Sequence, residues 1–135
     1  MAVIDLGNEQ IRYASAGHPA GIICNSEGAS VLPFGGRGSG PALGLFQDAE
    51  YSMQSVKAKD IRHLLLFTDG IFEVENSSGE AFLQNRLVKV VSEMKDEEIE
   101  PLLDTVLERV LSFAESKQFD DDVCLLGMEF LPQSS

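Results

Sequence analysis

An aspartate that closely follows a continuous apolar run is well placed to bind a metal ion. The run is Leu64–Phe67, and Thr68 separates it from Asp69-Gly70. Such a run is typical of a strand buried on both faces, and a carboxylate at its end is held rigidly while glycine lets the backbone turn sharply. The same two residues also fit a turn in which the Asp69 side chain caps nearby amides. The local sequence alone favours the turn.

A second acidic motif, Asp120-Asp121-Asp122, precedes the apolar segment Val123–Phe130. Three adjacent carboxylates repel one another unless water or a cation offsets their charge, and carboxylate oxygens are good ligands for hard divalent cations. Each of these aspartates taken alone fits a solvated turn better. Two acidic motifs at the ends of strands, taken together, favour a metal site.

The glycine-rich segment and the two histidines give weaker indications. Residues 35–41 do not match G-x-G-x-x-G, and no Gly-Lys-Ser/Thr occurs in the chain, so this segment is predicted to be a flexible surface connection. His18 lies in a turn before Pro19 and could polarise a ligand, whereas His63 begins a strand. Because no Ser or Cys nucleophile accompanies either histidine, a structural role is the favoured interpretation.

The elements that must position these residues are predicted from the hydrophobic pattern. Short apolar segments between turns predict antiparallel strands at Val3–Leu6, Ile11–Ala16, Gly21–Asn25, Ala29–Phe34, Tyr51–Val56 and Arg62–Thr68. Apolar residues at helical spacing predict helices over Glu80–Met94 and Ile99–Ala114, and Val123–Phe130 is predicted to be a central strand. We therefore expect an α+β layered fold, with residues 1–135 in a single domain.

The composition disfavours several classes of protein. A chain of 135 residues with 44% hydrophobic residues is typical of one globular domain, and a net charge of −12 without a Lys/Arg cluster disfavours nucleic acid and membrane surfaces as partners. No apolar run is long enough to span a bilayer and no signal peptide is evident, so a cytoplasmic location is expected. Cys24 and Cys124 lie in apolar runs and are predicted to be reduced and buried.

Short motifs follow one another along nearly the whole chain. They are Tyr13-Ala14-Ser15-Ala16-Gly17-His18-Pro19-Ala20, Leu43-Gly44-Leu45, Leu64–Glu73, Gly79-Glu80-Ala81-Phe82 and Asp121-Asp122-Val123. In this order and spacing they resemble the stage II sporulation protein E type phosphatases of the metal-dependent PPM superfamily. The resemblance implies part of an α-β-β-α sandwich, with antiparallel sheets and two C-terminal helices.

The resemblance also implies a function and a set of site residues. The reaction would be hydrolysis of phosphoserine or phosphothreonine on a regulatory protein, such as an anti-sigma-factor antagonist, by a water activated by two Mg²⁺ or Mn²⁺ ions. Asp69 and Asp121 are implied as catalytic metal ligands. Gly70 is implied as part of the metal site, and Asp122 and His18 as supporting residues. Chemistry through oxygen ligands agrees with a chain whose candidate residues are carboxylates.

One departure from the family pattern bears on this expectation. The upstream Gly-Asp-x-x-Gly-His-Gly-like motif of the family has no match, so we expect the N-terminal part of the fold and part of the site to be missing. Apolar sheet surface should then be uncovered and could support self-association. A noncatalytic interaction module derived from the phosphatase fold is the alternative. A calcium-binding module is a weaker third, because the EF-hand pattern is absent around Asp120.

Overall fold

The computed structural model describes residues 2–5, 7–33, 40–116, 118–119 and 121–131. Its strands are β1 (Ala2–Asp5), β2 (Gln10–Tyr13), β3 (Ile22–Asn25), β4 (Gly28–Val31), β5 (Gln54–Lys57), β6 (His63–Phe67) and β7 (Leu125–Glu129). Its helices are α1 (Leu83–Glu93) and α2 (Ile99–Phe113), and short 3₁₀ turns span Ala58–Asp60 and Asp69–Ile71.

The larger sheet is antiparallel and has the strand order β4-β3-β6-β7. Strand β6 lies inside it, because Leu65 pairs with Ile22 on β3 and with Gly127 on β7. Every residue of β6 except Leu66 is buried, so the prediction of a strand covered on both faces is confirmed. This enclosed strand leads directly to Thr68 and the acidic turn that follows it.

Both helices pack on one face of the larger sheet. The buried cluster between them contains Ile22, Cys24, Leu65, Phe67, Ile71, Phe82, Leu87, Val90, Val91, Leu102, Val106 and Val110. The members on α2 recur every four residues, and those on α1 lie at positions i, i+3 and i+4, which is the spacing that gives a helix one apolar face. A helical layer therefore covers one side of β6.

The other face of the larger sheet packs on a smaller antiparallel sheet of order β1-β2-β5. The buried residues of this second cluster are Ile11, Tyr13, Leu32, Ala58, Ile61 and Leu64. On β2, Ile11 and Tyr13 are buried whereas Gln10 and Arg12 are exposed, as expected for a strand with one solvated face. The chain thus forms three layers, one of helices and two of strands.

The predicted α+β fold class is confirmed, and the differences concern the ends of elements. Strand β2 ends at Tyr13 rather than Ala16, and helix α1 begins at Leu83 rather than Glu80. The helix does not begin earlier because Glu75 and Ala81 form a β-bridge and the Phe82 amide donates to the carbonyl oxygen of Val74. None of the helices in the described ranges is long and apolar enough to cross a bilayer.

The prediction that Val123–Phe130 forms a central strand is wrong for the described part of the chain. Strand β7 pairs with β6 alone and lies at an edge of the sheet, where Leu126 is 51% exposed. Val3 on β1 and Val31 on β4, which are also edge strands, are 40% and 37% exposed. The solvated face of β2 and β5 carries polar residues, so the exposed apolar surface of the described strands is confined to edge strands.

The prediction that both cysteines are buried is confirmed for Cys24 and wrong for Cys124, which is exposed. The alternation of side chains places Cys124 on the same side of the chain as Leu126, which is also exposed. The predicted flexible connection falls largely on residues 34–39, which lie outside the described residues, as does Asp120.

Candidate metal centre

Asp69 stands where the buried strand β6 gives way to a 3₁₀ turn. The turn is Asp69–Ile71, and it is anchored from below because Ile71 is fully buried in the cluster under the helices. Phe72, which follows the turn, packs edge-to-face on Phe67 with ring centroids 6.0 Å apart. The side chain of Asp69 itself is exposed. The exposed carboxylate of Asp69 thus belongs to a turn that buried residues hold in place.

Hydrogen bonds within the turn fix the backbone of Asp69. Its carbonyl oxygen accepts from the amides of Phe72 and Glu73, both at 3.0 Å, and its side-chain Oδ1 accepts from the Gly70 amide at 3.1 Å. The Asp69 carboxylate therefore caps an adjacent amide, as the turn interpretation predicted. A carboxylate has about four acceptor sites, so this one bond leaves capacity for a cation.

The second acidic segment reaches the same end of the sheet from the neighbouring strand β7. Asp121 and Asp122 precede β7 and are exposed, and the Asp122 amide donates to Oδ1 of Asp121 at 2.7 Å. Because β7 is antiparallel to β6 and Phe67 pairs with Leu125, the residues before β7 lie beside those after β6. Both predicted acidic motifs thus meet at one end of the β6–β7 pair.

Two contacts join the acidic motifs directly. The Thr68 hydroxyl donates to the carbonyl oxygen of Asp122 at 3.3 Å. A β-carbon built on Gly70 would lie 2.7 Å from that same carbonyl oxygen, so the two backbones approach more closely than any side chain at position 70 would permit. Glycine after Asp69 is therefore required for this close approach.

His18 belongs to a different hydrogen-bonded turn. Its carbonyl oxygen accepts from the Ser15 hydroxyl at 2.9 Å, and its Nδ1 donates to the carbonyl oxygen of Pro19 at 2.8 Å. Gly17 in the same turn donates to the carbonyl oxygen of Gly40. The ring is exposed. These bonds support a structural role for His18, and the role of a supporting site residue stays a prediction.

His63 lies at the opposite end of β6 from Asp69 and is fully buried. Its Nε2 is 3.6 Å from Oε1 of Glu129, longer than a hydrogen bond, and neither ring nitrogen has a hydrogen-bond partner among the described residues. Burial, followed by the positive charge of Arg62, lowers the pKa of His63. A neutral imidazole in the interior agrees with the structural role predicted for His63.

The comparison with protein families agrees with this geometry. The family model for stage II sporulation protein E (SpoIIE) matches residues 1–131, which include both acidic motifs. The chain belongs to the SpoIIE family. The predicted resemblance is therefore confirmed.

Two relatives of this SpoIIE-family chain are much longer proteins. Protein IcfG of Synechocystis is 29% identical over 120 residues, which are 88% of this chain and 18% of IcfG. Phosphoserine phosphatase RsbP of Bacillus subtilis is 26% identical over 123 residues, which are 91% of this chain and 28% of RsbP. The chain thus spans less than a third of either relative.

Solved structures of similar proteins share the fold. The phosphatase domain of SpoIIE from Bacillus subtilis superposes with a TM-score of 0.72 at 18% identity, over 100% of this chain and 57% of that one. The SiaA-PP2C domain of Pseudomonas aeruginosa gives 0.78 at 18% identity, over 96% and 50%. The RsbU and RsbW domains of Rv1364c from Mycobacterium tuberculosis give 0.73 at 23%, over 95% and 34%. The SpoIIE-family chain therefore has part of a PP2C-type phosphatase fold.

The donor set of this SpoIIE-family chain fits part of a divalent-metal site. Asp69 and Asp121 offer exposed carboxylate oxygens, and the Asp122 carbonyl oxygen lies between their segments. Such oxygen donors suit Mg²⁺ or Mn²⁺. Within the residues that the structure describes, no three His, Cys, Asp or Glu side chains lie close enough together to hold a metal ion.

Proposed function

We propose that this chain supplies part of the active site of a Mg²⁺- or Mn²⁺-dependent phosphatase that hydrolyses phosphoserine or phosphothreonine on a regulatory protein. The observation that carries the proposal is the convergence of Asp69 and Asp121 at one end of the β6–β7 pair. Membership of the SpoIIE family and the PP2C-type fold agree with it. The similarity to a phosphoserine phosphatase, RsbP, supports the substrate class.

In this proposal each site residue has a distinct task. Asp69 and Asp121 bind the metal ions through their carboxylates, and Gly70 lets the Asp69 turn approach Asp122. Bound metal ions would lower the pKa of a water molecule and offset charge on the phosphoryl oxygens. Asp122 holds the two turns together through its carbonyl oxygen, which accepts from Thr68. No side-chain nucleophile is needed.

The setting of the reaction is also part of the proposal. We treat the two sheets and two helices as one domain, because β6 contributes residues to both buried clusters. The partner would be a phosphorylated regulatory protein of the anti-sigma-factor antagonist type, and the reaction would take place in the cytoplasm. Any remaining ligands would come from sequence of the kind that occupies the other part of the solved phosphatase domains, of which this chain covers about half.

A noncatalytic interaction module is the second candidate. It is favoured by the lack of a three-ligand cluster among the described residues, together with the exposed Leu126 on edge strand β7. An edge strand with an apolar side chain can pair with another chain. A module of this kind would self-associate or bind a partner whether or not metal is present.

The first experiment compares Mn²⁺ binding with phosphatase activity. Free Mn²⁺ is measured by electron paramagnetic resonance during titration, and aryl phosphate hydrolysis is followed with and without Mn²⁺. The variants are Asp69→Asn and Asp121→Asn, each isosteric and each without the charge. Asp104→Asn is the matched control, because Asp104 is an exposed aspartate on α2.

The proposal expects Mn²⁺ binding that Asp69→Asn and Asp121→Asn each weaken by about 10-fold or more, with Asp104→Asn unchanged. Mn²⁺-dependent hydrolysis, lost in both site variants, would show that the chain assembles a working centre. Equal Mn²⁺ binding by all four proteins would contradict the metal assignment. Self-association without metal dependence, combined with that result, would favour the interaction module.

A further inference from the structure

Thr68 makes hydrogen bonds that its position does not predict. It is the residue before the 3₁₀ turn Asp69–Ile71, where a threonine hydroxyl ordinarily caps the amides of its own turn. Thr68 makes no such cap, and the Gly70 amide is instead satisfied by the side chain of Asp69. The hydroxyl of Thr68 is therefore free for another task.

That task is to hold the opposite acidic segment. The Thr68 hydroxyl accepts from the Cys124 amide at 2.9 Å and donates to the carbonyl oxygen of Asp122 at 3.3 Å. The Thr68 amide also donates to the carbonyl oxygen of Cys124 at 3.0 Å. Two bonds of the Thr68 hydroxyl and one of its amide thus form a three-bond clasp around the residues that link Asp122 to β7.

The clasp joins the two segments that carry the carboxylates assigned to the metal. Asp69 follows Thr68 in the chain, and Asp121 precedes Asp122, whose carbonyl oxygen the clasp holds. Both aspartate side chains are exposed, so few packing contacts fix their separation. The hydrogen bond from the Thr68 hydroxyl restrains the Asp121–Asp122 segment, whose exposed side chains provide little packing of their own.

We infer that Thr68 is a positioning residue for the metal centre, one that sets the separation of Asp69 and Asp121 through its hydroxyl group. This inference rests on the proposed function, since it concerns the affinity of the same site. Removing a group that orients metal ligands typically costs about 10- to 100-fold in metal affinity. The hydroxyl, rather than the size of the side chain, should determine the effect.

The test uses variants that separate these two properties. Thr68→Val keeps the shape of the side chain and removes the hydroxyl, whereas Thr68→Ser keeps the hydroxyl. Thr105→Val is the matched control, because Thr105 is the other threonine of the sequence and lies on α2. Two quantities are measured on the full chain: hydrogen exchange of the Cys124 amide without metal, and the Mn²⁺ dissociation constant.

In Thr68→Val we expect the Cys124 amide to exchange about 10-fold faster and the Mn²⁺ dissociation constant to rise about 10-fold. Thr68→Ser and Thr105→Val should resemble the unaltered chain in both measurements. Circular dichroism establishes that each variant is folded. Loss of affinity in Thr68→Ser equal to that in Thr68→Val would overturn the assignment to the hydroxyl.

The two measurements also distinguish failure of the inference from failure of the proposed function. Faster exchange at Cys124 with unchanged Mn²⁺ affinity would leave Thr68 with a purely structural role and would overturn the inference alone. Unchanged exchange would overturn it too, because the clasp would then not restrain the segment. Absence of Mn²⁺ binding by the unaltered chain would overturn the metal assignment, and the positioning role with it.

Discussion

The α-carbon of Gly70 faces the carbonyl oxygen of Asp122 so closely that an added β-carbon would lie only 2.7 Å from it. The atom in the way is backbone, so it cannot rotate aside as a side chain would. The Asp69 turn and the Asp121–Asp122 segment must therefore separate if position 70 carries any side chain. The geometry of the candidate site therefore depends on glycine at position 70, which has no side chain.

Gly70→Ala should weaken the candidate site more than it weakens the fold. We expect a loss of about 1–3 kcal/mol in the free energy of unfolding, the usual cost of inserting a methyl group where there is no space. Mn²⁺ affinity should fall by about 10-fold or more, since the ligands move apart. Urea unfolding and Mn²⁺ titration measure the two effects.

Gly7→Ala is the matched control for this substitution. A β-carbon at Gly7 would meet Oδ1 of Asp5 at 3.6 Å, which is an ordinary contact. Both measured quantities should therefore stay close to those of the unaltered chain. If Gly70→Ala also left Mn²⁺ affinity unchanged, the separation of the two acidic segments would not matter for the metal.

The sequence predicted the two acidic motifs of the site but not what joins them. Asp69 was identifiable because it closely follows a continuous apolar run, and Asp121 because it precedes another. That the two runs form neighbouring antiparallel strands is a long-range pairing, which local periodicity does not contain. The bonds from Thr68 to Asp122 and Cys124 depend on that register, so no local signal indicated them.

The two cysteines should differ in their reaction with an alkylating reagent. Cys124 is exposed, whereas Cys24 is 1% exposed and burial raises its pKa above the ordinary value of 9.0. Since the thiolate is the nucleophile, both effects protect Cys24. Mass spectrometry of the native chain with iodoacetamide should show one adduct at Cys124 before any at Cys24, and two adducts after unfolding in urea. Equal rates at both positions in the native chain would contradict the burial of Cys24.

The cysteines also show where the sequence pattern misleads. Cys24 and Cys124 both occupy apolar runs, which predicted burial for both. Burial of Cys24 follows from β3 having neighbours on both sides and a helical layer above it. The run containing Cys124 leads into β7, which is an edge strand. Apolar composition therefore predicted the strand correctly, whereas its place at the edge depends on which other strands are present.

The free energy of unfolding should decrease as the pH falls, because His63 gains a proton more readily in the unfolded chain than in the folded one. Burial and the neighbouring Arg62 lower its pKa below the ordinary 6.5, against a smaller opposing effect of Glu129. Because the unfolded chain then binds more protons, the contribution is fully present above the unfolded pKa and is lost as pH falls towards the folded pKa. Cys24 is the cross-strand neighbour of His63 on β3, and Arg62 and Glu129 are the adjacent charges.

Urea unfolding between about pH 5 and pH 7.5 measures this dependence, because carboxylates titrate mostly below that window. The free energy of unfolding should decrease on acidification, and His63→Phe should flatten the slope. His18→Gln is the matched control, since His18 is the other histidine and its ring is exposed. An unchanged slope in the His63 variant would show that the buried imidazole does not cause the pH dependence.

The packing of α2 on β7 should be sensitive to substitution at Gly127. A β-carbon there would lie 2.7 Å from two side-chain carbons of Ile99 and 3.0 Å from one of Leu103, both on α2. Gly127→Ala should therefore reduce the free energy of unfolding by about 1–3 kcal/mol. Combining it with Ile99→Ala removes the closest atoms, so the double variant should lose less than the sum of the single losses. Strictly additive losses would mean that the sheet, rather than the helix, accommodates the added methyl group.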